Sequence, residues 1–253
     1  MLIIRGTEKN QYMSDPFKYQ GQELVLFEKA INWKKYFSSL IQPHITGRVL
    51  ECGAGIGSTC KVLNDGIAKE WILLEPDKEM AALLKMKIKN NELPNNCIVI
   101  ENTIAFFGNS PQFDTIIYID VLEHIENDKD EITKAASLLN QNGNLIILSP
   151  AFPSLYSKFD KAIGHYRRYT KKQIESLTPT LLKKKFVRYI DSLGFFLSLA
   201  NKYMLKQSYP TVKQISFWDR YFVQTSKILD KVFSYSFGKS ILGIWQKNRI
   251  DVK

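Results

Sequence analysis

Glycines at positions 53, 55 and 57 directly follow the short apolar run Arg48–Cys52 and precede a helical pattern near Ser58–Asn64. No other feature constrains the fold of this chain so strongly. A strand that turns sharply into a helix needs residues that reach positive φ. A ligand lying across the strand ends needs backbone with no side chain in its way. The loop Val49-Leu50-Glu51-Cys52-Gly53-Ala54-Gly55-Ile56-Gly57 therefore predicts a strand, a ligand-binding turn and a helix. A dinucleotide-binding loop would carry Gly-x-Gly-x-x-Gly, with its third glycine at position 58. That position is Ser58.

The same strand–helix rhythm continues downstream. Glu70–Glu75, Cys97–Glu101, Phe113–Ile119 and Asn144–Leu148 read as further strands, with helices over Asp77–Asn90 and around Ile132–Leu139, the latter ended by Asn142-Gly143. Continuous apolar runs mark strands buried on both faces, and intervening helices make the sheet mostly parallel. After Pro150 a polar, aromatic stretch leads to a helix from Thr170 to about Leu182, and Phe186–Ile190 reads as a sixth strand. Residues 194–237 show no alternation, and Ser240–Gln246 reads as a closing edge strand. Ahead of the first strand, Ser14-Asp15-Pro16 signals a turn, and Leu24, Phe27, Ile31, Tyr36 and Leu40 recur at helical spacing up to Pro43. The expected architecture is a Rossmann-like, doubly wound α/β fold with a mostly parallel seven-stranded sheet. A helical lid is expected at 1–44, a ligand-binding core at 45–192 with 238–248, and a basic, aromatic helical cap at 193–237.

Composition narrows the setting. The chain has 253 residues, 45% hydrophobic and 24% charged, which suits one well-buried domain with an elaboration. No run of about 20 apolar residues exists to cross a bilayer. The start is too short in apolar residues for a secretory signal. Three cysteines without paired spacing suggest neither a disulfide framework nor zinc, and Cys52 suits packing inside the loop. A cytoplasmic location is the expectation. Charge is divided unevenly. Residues 1–150 hold 15 Lys and Arg against 19 Asp and Glu, a balance of −4, and residues 151–253 hold 20 against 6, a balance of +14. The second part is either a solvated basic surface or one that faces an anion, whether phosphorylated substrate, nucleic acid or membrane.

A second acidic position discriminates among ligands. Glu75 ends the second strand, 18 residues after Gly57, where a carboxylate accepts hydrogen bonds from both ribose hydroxyls of an adenosine. Glu101-Asn102 ends the third strand, near where an adenine edge would lie, and Asp120 ends the fourth. The pieces Val49–Gly57, Leu74-Glu75-Pro76-Asp77, Phe113–Ile125 and Leu139–Ser149 together resemble the class I S-adenosylmethionine-dependent methyltransferases over about residues 45–150. The resemblance implies that Glu51, Gly53, Ala54, Gly55 and Gly57 approach the methionine and ribose. It further implies Glu75 at the ribose and Asp120 near the sulfonium, with S-adenosylhomocysteine as product, and Pro76, Asn102 and Val121 are expected among the cofactor-binding residues.

The acceptor side is less specific. Methyl transfer from a sulfonium needs mainly an in-line nucleophile, and a hydroxyl acceptor also needs a base. His44 precedes the first strand, whereas His124 and His165 follow strand ends on the ligand side. The segment Asp160-Lys161-Ala162-Ile163-Gly164-His165-Tyr166-Arg167-Arg168-Tyr169 resembles one found in a bacterial subgroup of the family. One reading makes His165 the base, with Tyr169, Arg167 and Arg168 placing an anionic acceptor. The other makes Asp160 and the arginines an internal salt-bridge set that holds a lid. A third reading is metal: Asp120-Val121-Leu122-Glu123-His124 with His165 is similar to the Glu-x-x-Glu-His ion site of some O-methyltransferases, but its first carboxylate is Asp, and no bound metal is expected. In the tail, Phe217, Trp218, Tyr221, Phe222, Ile228, Leu229, Val232 and Phe233 form an apolar stripe near Arg220, Lys227 and Lys231. Such a helix packs on the core or lies peripherally on an anionic membrane. The expected acceptor is a small or lipid-linked molecule, methylated at oxygen. The alternatives are an RNA methyltransferase, disfavoured by the absence of a nucleic-acid module, and a non-catalytic S-adenosylmethionine-binding protein. Oligomeric state is not legible here.

Overall fold

The computed structural model describes residues 23–248; the Ser14-Asp15-Pro16 turn lies outside them. Seven strands form one sheet: β1 (Arg48–Cys52), β2 (Glu70–Leu74), β3 (Cys97–Ile100), β4 (Phe113–Ile119), β5 (Leu139–Pro150), β6 (Leu182–Ile190) and β7 (Ser240–Lys247). Their order is β3-β2-β1-β4-β5-β7-β6. The first five pair in parallel, and β7 runs antiparallel to both β5 and β6. Side chains alternate between two buried clusters. Val49, Leu73, Ile117, Ile146 and Leu242 pack on one face, and Leu50, Ile72, Ile116, Ile147 and Ile241 on the other. Both faces are covered, which is why these strands read as unbroken apolar runs.

The first face is covered by α2 (Ile31–Ile41), which follows the short α1 (Glu23–Glu28), and by helices between β6 and β7. Beside them pack α3 (Cys60–Leu63) and α4 (Lys78–Lys89), through Cys60, Leu63 and Leu84. The second face is covered by α5 (Asp128–Leu138) and, after the short α6 (Lys158–Ala162), by α7 (Lys171–Leu177). The β6–β7 segment contains α8 (Ser192–Ala200), which runs into a π turn at Asn201–Leu205. It continues with α9 (Val212–Phe217) and α10 (Val223–Val232), joined by a π turn at Trp218–Phe222.

Buried carboxylates tie these late helices to the core. Ala30 gives α2 no side-chain cap. Instead the Asp219 carboxylate, from the π turn, accepts the Asn32 and Trp33 backbone N–H groups at 3.1 and 2.8 Å. Asp230 accepts the Tyr36 hydroxyl and the Asp191 and Ser192 N–H groups. Asp191, itself at φ 64°, accepts from Gly194 N–H, Ser226 Oγ and the Trp218 indole.

Two expectations are corrected. The strand at 240–247 is interior, not an edge: Ile241, Leu242, Ile244 and Trp245 are buried on both faces. The edge is β6, whose Lys183, Lys184 and Lys185 stay exposed, as suits a strand that must not recruit another. Asn142-Gly143 does not end a helix either. Helix α5 stops at Leu138, Leu139 already pairs with Phe113, and Asn142 at φ 62° lies where the β4–β5 register shifts. The local Asn-Gly signal is common to a helix C-cap and an irregular strand.

Candidate active site

The carboxyl ends of the parallel strands open on a cavity of about 590 Å³. At its base the Gly-rich loop is held by Ala54 N–H donating to Leu74 C=O at 3.1 Å. Gly53 has φ 64°, and a Cβ there would come within 2.7 Å of Val121 Cγ2. No L side chain could occupy it without displacing the β4 end. Gly53, Ala54 and Gly55 line the cavity, whereas Gly57 packs behind the wall against Leu84 and Leu93.

Glu75 stands at the end of β2 with its side chain at the cavity wall. One oxygen accepts Gly55 N–H at 2.7 Å and the other Asp77 N–H at 2.9 Å. Burial pushes its pKa up, and these two hydrogen bonds oppose the shift. Pro76 and the Asn102–Ile104 segment continue the wall. Glu51, expected beside the methionine, is turned beneath the loop instead. It is buried, accepts the Trp71 indole N–H at 2.7 Å and does not line the cavity. Burial pushes its pKa up to about 8. A strand position adjacent to the loop does not decide which way its side chain faces.

Asp120 follows β4 and lines the same cavity. It has φ 53°, an unfavourable conformation for a non-glycine residue, and its N–H donates to Leu148 C=O at 2.8 Å. The turn directs the carboxylate into the cavity beside Val121. Surrounding protein pushes its pKa up, opposed by Lys239, His165 and Arg168.

Beyond Asp120 the structure brings together Glu123, His124 and His165, each offering one ligand atom within 4.8 Å of the others. The imidazoles stand edge to face at 4.6 Å. Glu123 is wholly buried, neither carboxylate oxygen makes a hydrogen bond among the described residues, and burial pushes its pKa well up. His165 Nε2 lies 3.7 Å from it. Burial and the neighbouring His165 push His124 down to about 3, so its ring is neutral. His165 is oriented from the other side: its Nδ1 lies 2.9 Å from Asp160 Oδ1. Asp160 is buried and also receives Arg168 Nε and Nη2 at 2.7 and 3.0 Å and the Ser157 N–H at 2.8 Å. Burial alone would raise its pKa, but His165 and Arg168 hold it well below the usual carboxylate range.

The dense segment at 160–169 therefore divides. His165 and Arg168 line the cavity. Arg167 and Tyr169 do not: both bind Asp128, Arg167 at 2.6 Å and Tyr169 through its hydroxyl at 2.8 Å. The single hydroxyl proton of Tyr169 is shared with the more distant Leu122 C=O at 3.2 Å, which links the His124 turn to α5. Arg168 keeps one buried nitrogen, Nη1, without a hydrogen-bond partner among the described residues.

One residue at the cavity was missed in the sequence. Lys239 has its ammonium 3.9 Å from the Trp218 ring centre and 5.5 and 5.6 Å from those of Trp33 and Phe27. Its carboxylate neighbour Asp191 is 3.9 Å away. The four residues of this aromatic cage come from α1, α2, the second π turn and the approach to β7, so no local spacing could signal it. The arrangement offers a carboxylate and bare backbone at one end, a histidine held by an aspartate at the other, and a cation in apolar walls between.

Comparison with known proteins agrees with this layout. A family model described as a methyltransferase domain matches residues 23–187. Among solved structures, the YcgJ protein of Bacillus subtilis is similar at 15% identity, covering 85% of this chain and 99% of that one, with a TM-score of 0.56. A geranyl diphosphate methyltransferase in complex with S-adenosylmethionine matches at 8% identity, 91% of both chains and a TM-score of 0.61. The phosphoethanolamine N-methyltransferase 2 of Haemonchus contortus, also with S-adenosylmethionine, matches at 15% identity, 91% of this chain, 58% of that one and a TM-score of 0.62. Among curated proteins no match to the sequence is found. With nearly two thirds of its length matched by the domain and a cofactor groove at the expected strand ends, the chain belongs to the methyltransferase-domain family and is a class I S-adenosylmethionine-dependent methyltransferase.

Proposed function

We propose that this enzyme transfers the methyl group to an oxygen of a small or lipid-linked anionic acceptor, with His165 taking the acceptor proton. The observation that carries the reading is the Asp160–His165 pair. Asp160 engages Nδ1, which leaves Nε2, 3.7 Å from Glu123, clear of that pairing on a side chain that lines the chamber. An imidazole held in one orientation by a buried carboxylate is suited to general-base work. The cofactor ribose would bond to Glu75, the adenine would lie along Asn102–Ile104, and the sulfonium would sit near Asp120. The acceptor oxygen then bonds to the methyl carbon as the carbon–sulfur bond breaks. The hydroxyl proton passes to His165, and S-adenosylhomocysteine leaves.

An anionic acceptor is supported by Lys239 in its aromatic cage and by the unpartnered Nη1 of Arg168, both at the chamber. The rest of the wall is largely apolar, with Phe27, Phe37, Phe159 and Leu197 among its residues. A molecule with an anionic group and a hydrocarbon portion suits both. Two structural relatives are named for phosphorylated acceptors, and at their low identity this supports only the capacity of the fold.

The reading is tested by following S-adenosylhomocysteine release across hydroxylated phosphates and carboxylates, and by identifying the methylated atom by NMR. Methylation at nitrogen would remove the oxygen assignment. With an accepted substrate, His165→Ala should abolish turnover while cofactor affinity stays near normal; surviving turnover would make His165 structural.

A second reading is favoured by the convergence of one ligand atom each from Glu123, His124 and His165 within 4.8 Å. These residues would hold a divalent cation that binds the acceptor oxygen. Activity lost to a chelator and restored by magnesium or manganese would support this reading over the base.

A further inference from the structure

The helical run from Val212 to Val232 carries apolar residues on two sides. Its inner face buries Ile215, Trp218 and Val223 together with Ser226 and Asp230, while on the outer side Phe217, Tyr221, Ile228 and Val232 are 53%, 50%, 67% and 68% exposed. The outer side of a surface helix is ordinarily polar. The helix cannot roll to bury these outer residues. Asp230 holds Tyr36 and the start of α8, and Ser226 holds Leu193 N–H and Asp191. The four exposed residues follow one another at near-helical intervals, with the Phe217 and Tyr221 rings 5.1 Å apart. Arg220, Lys227 and Lys231 each directly precede one of them and are exposed as well.

Among the described residues from 151 onward, no exposed unpaired acid offsets this row. Of the acidic residues at 151–248, Asp160, Asp191, Asp219 and Asp230 are buried, and Glu175 is paired with Lys184. The surface of this part is therefore more positive than its sequence balance. A two-fold contact with a second copy would set the basic row against its own counterpart. An anionic bilayer instead satisfies both rows, accepting the apolar side chains at its interface and the cations at its headgroups. Phe217 and, from the π turn after α8, the half-exposed Leu205 also line the chamber, so this face adjoins its rim.

We infer that the outer face of α9–α10 docks peripherally on an anionic lipid membrane, with the acceptor chamber opening beside the contact. No helix among the described residues is long and apolar enough to cross a membrane. The inference stands on the helix surface and is independent of the acceptor and of His165.

The test is co-sedimentation of the whole protein with vesicles of phosphatidylcholine plus phosphatidylserine, against pure phosphatidylcholine. Binding should require the anionic lipid and weaken with added salt. Replacing both Lys227 and Lys231 by Gln should reduce partitioning about 30-fold, and replacing both Ile228 and Val232 by Ser about tenfold or more. These positions are exposed, so S-adenosylmethionine affinity by calorimetry should be unchanged in both variants, which separates docking from folding and from the cofactor site. Equal binding to both vesicle types would overturn the proposal. So would absence of vesicle binding, whether with RNA bound instead or with a dimer that the Ile228/Val232 variant dissolves.

Discussion

Glu51 and Glu75 occupy the ends of adjacent parallel strands, yet they face different environments. Glu75 presents its oxygens at the cavity, and Glu51 is turned under the loop to the Trp71 indole. Hydrogen bonds to a charged group contribute about 1.5–3 kcal/mol each. Glu75→Ala should therefore weaken S-adenosylmethionine binding roughly 100-fold or more by calorimetry, and an unchanged Kd would remove Glu75 from the ribose. Glu51 acts on stability. Its folded pKa of about 8, against an ordinary 4.5, means the folded protein keeps a proton that the unfolded chain has released. Stability falls as pH rises through that interval and stays at the lower level above it. Glu51→Gln cannot ionise and loses the slope. Melting temperatures of the two proteins should converge at about pH 5 and separate in favour of the variant at about pH 9. A gap that does not vary with pH would show that Glu51 does not titrate across this range.

At the scale of elements, the strands of the cofactor half were legible because burial on both faces leaves a continuous apolar run. The Gly-rich loop, Glu75 and Asp120 were legible because they follow such runs. The direction of Glu51, the division of the 160–169 segment and the cage around Lys239 were not, since each depends on partners far away in sequence. The same holds for Asp219. In the sequence it is one acid in a basic, aromatic tail, and in the fold it caps α2 from nearly 190 residues away. Loss of a helix cap costs about 1–2 kcal/mol, and leaving buried N–H groups unpaired adds to it. Asp219→Ala should lower stability by about 2 kcal/mol, read as a reduced urea midpoint with an unchanged m-value. A midpoint within error of the wild type would mean that α2 is held by apolar packing alone.

At the scale of the whole molecule, the carboxylates that join the late helices to α2 and β6 should make those helices and the sheet unfold as one body. The four tryptophans sample both: Trp71 and Trp245 lie in the sheet, Trp33 in α2 and Trp218 in the cap. Unfolding followed by tryptophan fluorescence and by far-ultraviolet circular dichroism should coincide in one transition. S-adenosylmethionine at about 100 times its Kd should raise stability by about 2.7 kcal/mol without splitting it. Two separated transitions would show that the cap folds as its own unit.

The interior position of β7 also imposes an order in time. During synthesis β5 and β6 are made long before the strand that lies between them, and they never pair with each other. Until β7 emerges, one side of β5 has no neighbour and β6 has no place in the sheet. Lys239 immediately precedes that strand, so the same insertion that closes the sheet delivers the cation into a cage already built by earlier residues. The strand-end groove lined by Gly53, Glu75 and Asp120 can take shape on the nascent chain before this, whereas the part of the cavity wall that Lys239 supplies waits for β7.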